Sequence, residues 1–299
     1  MGNVNVSMHT IPVEVFSLRH TFESAQPLAF YADYGAASST LTYPYGSMTI
    51  NLMHTGSVEK GTIHVASRNP ATASTEVRKR FRLDDNMPKI YRKISTDAFM
   101  KRAVLGYRGM RLTVNDPWEA TLVFILSQFN NVKRIRLITR NIMERFGSKI
   151  MDDYGNVIAR SFPQPADLLN ATEKDYRELG AGFRAKYLKE LASFCTYSID
   201  LNRLPGHKYE RLREELMSIK GVGEKVADCI ALMGYGNLEA FPIDVWVQRV
   251  LEKVYFKGKR KKIKLLKEFA EDRFGRYAGY AQQYLFWAGR SAKGVVDEA

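Results

Sequence analysis

Cysteine is nearly absent from this 299-residue chain; Cys195 and Cys229 are the only two. Two thiols cannot build a disulfide framework, a four-cysteine zinc site or a four-cysteine iron–sulfur cluster. No run of about 18 apolar residues occurs, so a membrane-spanning helix is not expected. The N-terminal stretch MGNVNVSMHT lacks the basic-then-apolar layout of a signal peptide, and Val6 stands where myristoylation needs Ser or Thr, so an intracellular protein is expected. Histidine is sparse too: His9, His20, His54, His64 and His207 form no HxxxH or HExxH pair, and neither a catalytic metal nor a cofactor is expected. Acidic residues are in deficit, with 32 Asp and Glu against 45 Lys and Arg and a formal net charge of +13. That excess points to a polyanion, and nucleic acid fits better than a membrane face. Apolar residues are not lacking: at 45% of the chain they supply cores for one large or two ordinary domains.

From Val13 to about Arg82 the texture is strand-like. LAFYADY, STLTYP, SMTINLMHTG and GTIHVASR are short β-branched and aromatic runs cut by Gly, Asn and Pro. Beyond FRLDDNMPKIYRKI the pattern turns helical: PWEATLVFILSQF, VKRIRLITRNIMERFG, FRAKYLKELASFC and YERLREELMSI carry apolar residues three and four apart. Strands first and helices after predict an α+β chain, with a β-rich N-terminal domain over 1–95 and a helical body over 96–299. There is no internal repeat. The basic stretch KGKRKKIKLLK (257–267) is either a solvated loop and helix face or a contact to nucleic-acid phosphates.

The most informative segment is SIKGVGEKVADCIALM, residues 218–233. It reads as helix, tight Gly221-Val222-Gly223 turn, helix, with the hairpin over 219–225. Glycines permit positive φ and close approach of a ligand, and the free amides of the second helix attract an anion. A plain pair of antiparallel helices would have the same glycines. Lys225 is harder to explain, because a cation in the first helical turn is disfavoured by about 0.3–1 kcal/mol relative to the last. Dipole and desolvation should lower its proton affinity, and a neutral amine is a nucleophile. Cys229 and Met233, four and eight residues on, share its face and form either a pocket wall or core packing. In FPIDVWVQRV, Asp244 is placed to cap the next helix, and a carboxylate held there could also stabilise a positive sugar ring.

These residues resemble the helix-hairpin-helix DNA glycosylases, most closely the 8-oxoguanine branch: GVGEKVADCIALM, then FPIDV with Asp244 nineteen residues after Lys225, then FILSQFNNVKRI, LGAGFRAKYL and YAGYAQQYLFWA. The match is good over most of residues 80–299 and loose before that. The resemblance implies an α+β fold with an N-terminal antiparallel sheet and a helical body. It also implies a base excision repair enzyme, acting as a monomer on duplex DNA that contains oxidised guanine and associated with chromosomal DNA. In that chemistry Lys225 attacks the anomeric carbon of a flipped nucleotide, the base leaves, and β-elimination from the Schiff base nicks the strand. Asp244 stabilises the cationic sugar. Cys229 and Phe286 sandwich the purine, Gln282 reads its Watson–Crick edge, Met233 and Pro242 complete the walls, and Ala25 stands where the family uses a glycine carbonyl. Arg134 and Arg184 match the readers of the opposite cytosine. Gly221, Gly223, Lys220 and Trp246 fall at phosphate-contact positions.

Several positions depart from the family pattern. Phe129, beside Asn130, replaces an asparagine that fills the gap and contacts the cytosine, and Phe183 replaces the wedge tyrosine, so looser opposite-base selectivity is expected. Trp246 replaces a histidine and Lys220 a proline. Three other readings stay in view. An alkylpurine or hypoxanthine glycosylase would use Asp244 and water but has no need of Lys225. The iron–sulfur endonuclease branch lacks its four cysteines here. A noncatalytic binder of DNA backbone would need the hairpin but not Lys225 and Asp244 together.

Overall fold

The computed structural model describes residues 7–204 and 208–290; the reading of residues 1–6 and of His207 lies outside them. Five strands, β1 (Ser7–Glu14), β2 (Asp33–Gly35), β3 (Thr40–Tyr45), β4 (Met48–Gly56) and β5 (Lys60–Ser67), form an antiparallel sheet in the order β1-β5-β4-β3-β2. Successive side chains of a strand point to opposite faces. Ile11 and Val13, Leu41 and Tyr43, Ile50 and Leu52, and Ile63 and Val65 therefore lie on one buried face. The register pairs Ile11 with Ile63 and Leu52 with Val65.

Two strand-like stretches fold otherwise. LAFYADY, expected as a strand, contributes a 3₁₀ turn at Pro27–Phe30 and only its last residues reach β2. Pro27 fixes φ at the first position of that turn, and all four of its residues are buried among helices rather than paired in the sheet. The sheet region also ends at Ser67 rather than near Arg82, because α2 (Pro70–Arg80) starts behind an Asn69 cap whose side chain accepts from Thr72 N at 3.1 Å.

The helical body comprises α3 (Met87–Ile94), α4 (Ala98–Gly106), α5 (Pro117–Ser127), α6 (Val132–Phe146), α7 (Glu173–Glu178), α8 (Ala185–Tyr197), α9 (Tyr209–Met217), α10 (Glu224–Gly234), α11 (Val245–Tyr255), α12 (Ile263–Phe274) and α13 (Ala278–Arg290). The α1 helix (Leu18–Glu23) precedes the 3₁₀ turn, and a small hairpin of β6 (Lys149–Met151) and β7 (Val157–Arg160) interrupts the body. Helices α5 and α10 are the central pair: Trp118–Leu126 and Val226–Gly234 are buried throughout. Surface helices such as α6 show one apolar stripe, here Ile135, Ile138, Ile142 and Met143.

One apolar cluster runs from Ile11 in β1 to Ala288 in α13. Inside it lies a buried charge cluster. Arg80, at the end of α2, is clamped between Glu76 and Glu119 and donates to the Tyr31 hydroxyl at 2.6 Å and to Asn115 Oδ1 at 3.2 Å. Asn115 in turn donates through its backbone and side-chain amides to Met233 O, at 2.7 and 3.0 Å. The sheet-side helix is thereby joined to the C-terminal end of α10.

Candidate active site

Helix α10 begins immediately after the glycine turn. Gly221 has φ +88° and its Cα lies against the Tyr187 ring, where an added Cβ would come within 2.7 Å of Cγ, so this position requires glycine. Gly223 does not use that freedom: it is extended, at φ −93° and ψ 180°, and caps α10 with open space around it. With no side-chain cap, the first amides of α10 are left for an external anion. Lys220 is paired with Glu190 at 2.6 Å on the surface.

One turn into α10, Lys225, Cys229 and Met233 form a wall of a cavity of about 270 Å³. Ala25 and Phe30 of the sheet side, Phe124 of α5, Asn130, Pro242, Asp244, Trp246, and Gln282, Phe286 and Arg290 of α13 also line it. Every base-recognition residue expected from the sequence, and both catalytic ones, therefore lies around one space. Trp246, expected at a phosphate, is at its mouth.

Lys225 departs from expectation. Burial does work against its ammonium, but the Cys229 sulfur and then the Asp244 carboxylate outweigh that, and its pKa lies above the ordinary lysine value, not below. Burial pushes the Cys229 thiol up as well, with Lys225 pulling the other way. Lys225 thus rests as an ammonium, its Nζ 5.7 Å from the Phe124 ring centre. Asp244 does cap α11, accepting from Val247 N at 2.8 Å, which leaves its carboxylate fixed at the cavity edge.

Gln282 is 5% exposed, and its Oε1 has no hydrogen-bond partner. A buried amide oxygen without a partner costs on the order of 1–3 kcal/mol, which a ligand donor in the cavity would relieve. Opposite it, Ala25 occupies the left-handed region at φ +60°. Both flanks hold it there: Gln283 Nε2 donates to Ser24 O at 2.8 Å, and the Gln26 amide donates to Arg111 O at 2.8 Å and accepts from Thr113 N at 2.7 Å. Phe30, Phe124, Gln283 and Arg290 were not identified from sequence. Arg290 in particular, its guanidinium 5.9 Å from the Phe286 ring and its pKa lowered by burial, carries no motif.

A second group extends beyond the cavity, which it meets at Asn130. Phe129 is 95% exposed at φ +47°, edge to face with Phe183 at 6.4 Å. Arg184 supports this tip from below: its guanidinium donates to the carbonyls of Gln128 and Phe129 and covers the Phe183 ring at 4.4 Å. Arg134 donates to Gly180 O at 3.3 Å, and Asn130 to Leu126 O at 3.0 Å. Both arginines, expected as free readers of a base, thus direct donors to loop carbonyls. Gln128, which sequence reasoning missed, ties this tip to the hairpin by donating to Gly221 O at 3.0 Å.

Residues 122–274 match the HhH-GPD superfamily base excision DNA repair proteins, half of the chain. The chain belongs to that family. Among its relatives, an N-glycosylase/DNA lyase of Saccharomyces cerevisiae is 33% identical over 254 residues, spanning 73% of this chain and 67% of the yeast protein. Two solved HhH-GPD-like structures superpose closely. MBOgg1 in complex with a low affinity DNA ligand has a TM-score of 0.86 at 30% identity, covering 95% of this chain and 98% of that one. The Clostridium acetobutylicum 8-oxoguanine glycosylase/lyase, with duplex DNA containing cytosine opposite the lesion, gives 0.85 at 28% identity, covering 95% and 97%. Among the described residues no group of three metal-ligating side chains occurs and no helix is long and apolar enough to cross a membrane.

Proposed function

We propose that this protein is a bifunctional base excision repair enzyme, a DNA glycosylase that removes 8-oxoguanine from duplex DNA and cleaves the abasic site by β-elimination. The observation that carries the reading is the single cavity in which Lys225, Cys229 and Asp244 face Gln282 and Phe286. A purine between Cys229 and Phe286 would satisfy Gln282 Oε1, and Ala25 supplies the backbone on the far side.

The chemistry follows from the resting charges. As the C1′–N9 bond breaks, the fixed Asp244 carboxylate stabilises the positive sugar. The departing base takes the bonding electrons and accepts the proton of the Lys225 ammonium. The freed amine bonds to C1′, the ring opens to an iminium, a 2′ proton is lost, and the 3′ phosphate leaves. Gly221 and Gly223, with Lys220 and Trp246, take the strand's phosphates. Phe129, with Asn130 and Phe183, fills the vacated stack. Phe129 has no hydrogen-bonding side chain, so reading of the opposite base rests on Arg134 and Arg184, with discrimination looser than an asparagine would give. The enzyme acts as a monomer on chromosomal DNA inside the cell.

Borohydride trapping tests this directly. A covalent adduct is expected on a duplex with 8-oxoguanine opposite cytosine and not on undamaged, hypoxanthine or 3-methyladenine duplexes. Lys225→Gln should still bind DNA and form no adduct. Base release from the alkylated or deaminated duplex without an adduct would instead mean that Asp244 and water do the chemistry.

A further inference from the structure

We infer that the exposed stripe Trp246, Arg249, Lys253 and Lys257, continued by Lys259, Arg260 and Lys262, is a track for DNA backbone that leads the phosphates flanking the lesion away from the cavity mouth. The inference rests on the DNA-repair reading of the cavity and adds a surface that the cavity does not need.

The stripe starts at the site and is continuous with it. Trp246 lines the mouth of the cavity, and the Arg249 guanidinium sits 5.5 Å from its ring centre. Residues 246, 249 and 253 are spaced three and four apart and share one face of α11, Lys257 follows two residues past its end, and all four are exposed. Helix α11 has 11 residues and therefore spans about 16 Å. That corresponds to about five nucleotides at 3.4 Å of axial rise each.

The loop that ends the track is built rather than slack. Lys257 and Gly258 take φ of +52° and +74°, which turns the chain back. Glu252, only 9% exposed, holds the turn from inside: its carbonyl accepts from Gly258 N at 2.8 Å, and its Oε1 accepts from Lys261 N at 3.0 Å and from Gln248 Nε2 at 2.9 Å. The one acidic group at the loop is thus turned to its backbone. Among the described residues, Lys257, Lys259 and Lys262 make no ion pair, and all three are exposed. The basic run divides in two at its far end, since Lys267 turns inward to the fully buried Asp228 at 2.6 Å. Its head remains as a row of exposed cations just past α11, whose first turn carries Trp246 at the cavity. Exposed cations on a hydrogen-bonded backbone beside the cavity suit a regularly spaced polyanion, and DNA backbone has that spacing.

The test uses the full chain with Lys257→Asn, Lys259→Gln and Lys262→Gln combined, none of which lines the cavity. Binding is measured against salt on a long duplex with one central 8-oxoguanine opposite cytosine, and on versions trimmed on one side or the other to about three base pairs, short of the track's end. The triple variant should show a log–log salt slope less steep by about 0.9 for each phosphate it no longer neutralises. Trimming one particular flank should remove the difference between variant and parent, while trimming the other should not. Excision with saturating enzyme should be unchanged. An unaltered slope on the long duplex would overturn the inference, and so would an equal loss on every duplex, which a diffuse field would give. Loss of binding to phosphatidylserine vesicles with DNA binding intact would overturn it in favour of a membrane contact. If the same flank-dependent loss occurred while no borohydride adduct formed on any duplex, the track would stand and the catalytic reading would fall.

Discussion

The residues of the site divide into those whose role can be guessed from chemistry alone and those that need their neighbours. Lys225 is of the second kind: helix dipole and burial argue for a depressed pKa, yet the Cys229 sulfur and Asp244 reverse the sign. This has a consequence on a preformed abasic duplex, where attack needs only a free amine. The trapping rate should rise with pH, about tenfold per unit, until the raised Lys225 pKa is passed. Replacing Asp244 by Asn removes the fixed negative charge that helps hold that proton, so the rise should move to lower pH and trapping of the abasic duplex at neutral pH should quicken. A rate–pH curve that does not move would show that the carboxylate has no hold on the amine. Gln282 sets stability against function. Gln282→Leu deletes a buried unpartnered oxygen and should stabilise the fold by about 1 kcal/mol while reducing 8-oxoguanine excision. Thermal melting and single-turnover excision together check this, and unimpaired excision would remove Gln282 from base recognition.

At the scale of elements, the hairpin and α10 were readable from sequence because glycine, helix periodicity and a cap each leave a local signature. The Asp244 cap and the Lys225–Cys229–Met233 face are of this type. What was illegible is long-range. That Pro27–Phe30 leaves the sheet, that Ala25 is held left-handed between Gln26 and Gln283, and that Arg290 closes the cavity all depend on partners far along the chain. The β6–β7 hairpin, short and largely exposed, has no strong pattern to betray it inside a helical block. The glycine hairpin also gives a prediction of its own. Gly221→Ala forces a Cβ against the Tyr187 ring in a left-handed conformation and should destabilise the protein by about 1–2 kcal/mol or more. Affinity for undamaged duplex should fall with it, whereas Gly223→Ala, with open space and extended backbone, should fold normally. Equal melting temperatures for the two variants would contradict this origin of the turn's stability.

Over the whole molecule, sheet and helices share one core, and the Arg80 cluster is where their polar wiring meets. Arg80→Ala would strand Glu76 and Glu119 as buried neighbours of like charge, and a loss of about 3–5 kcal/mol is expected on chemical denaturation. Because Asn115 passes that clamp on to Met233 O, excision should suffer even where the variant stays folded. Full activity in a folded Arg80→Ala protein would show that the cavity does not depend on the clamp. The net charge that suggested a polyanion from composition alone is thus distributed unevenly, partly in internal clamps such as Arg80 and Lys267 and partly outside. The tie from Gln128 to the hairpin carbonyl of Gly221, with Arg184 bound to the Gln128 carbonyl, joins the glycine hairpin and the Phe129 tip through direct hydrogen bonds. With the hairpin on the strand and the Phe129 tip in the stack, as proposed, such a protein could not hold a duplex without also pressing on its stacked bases, so holding and inspecting would be one act, and time spent at each stop would be governed by how readily that base pair yields.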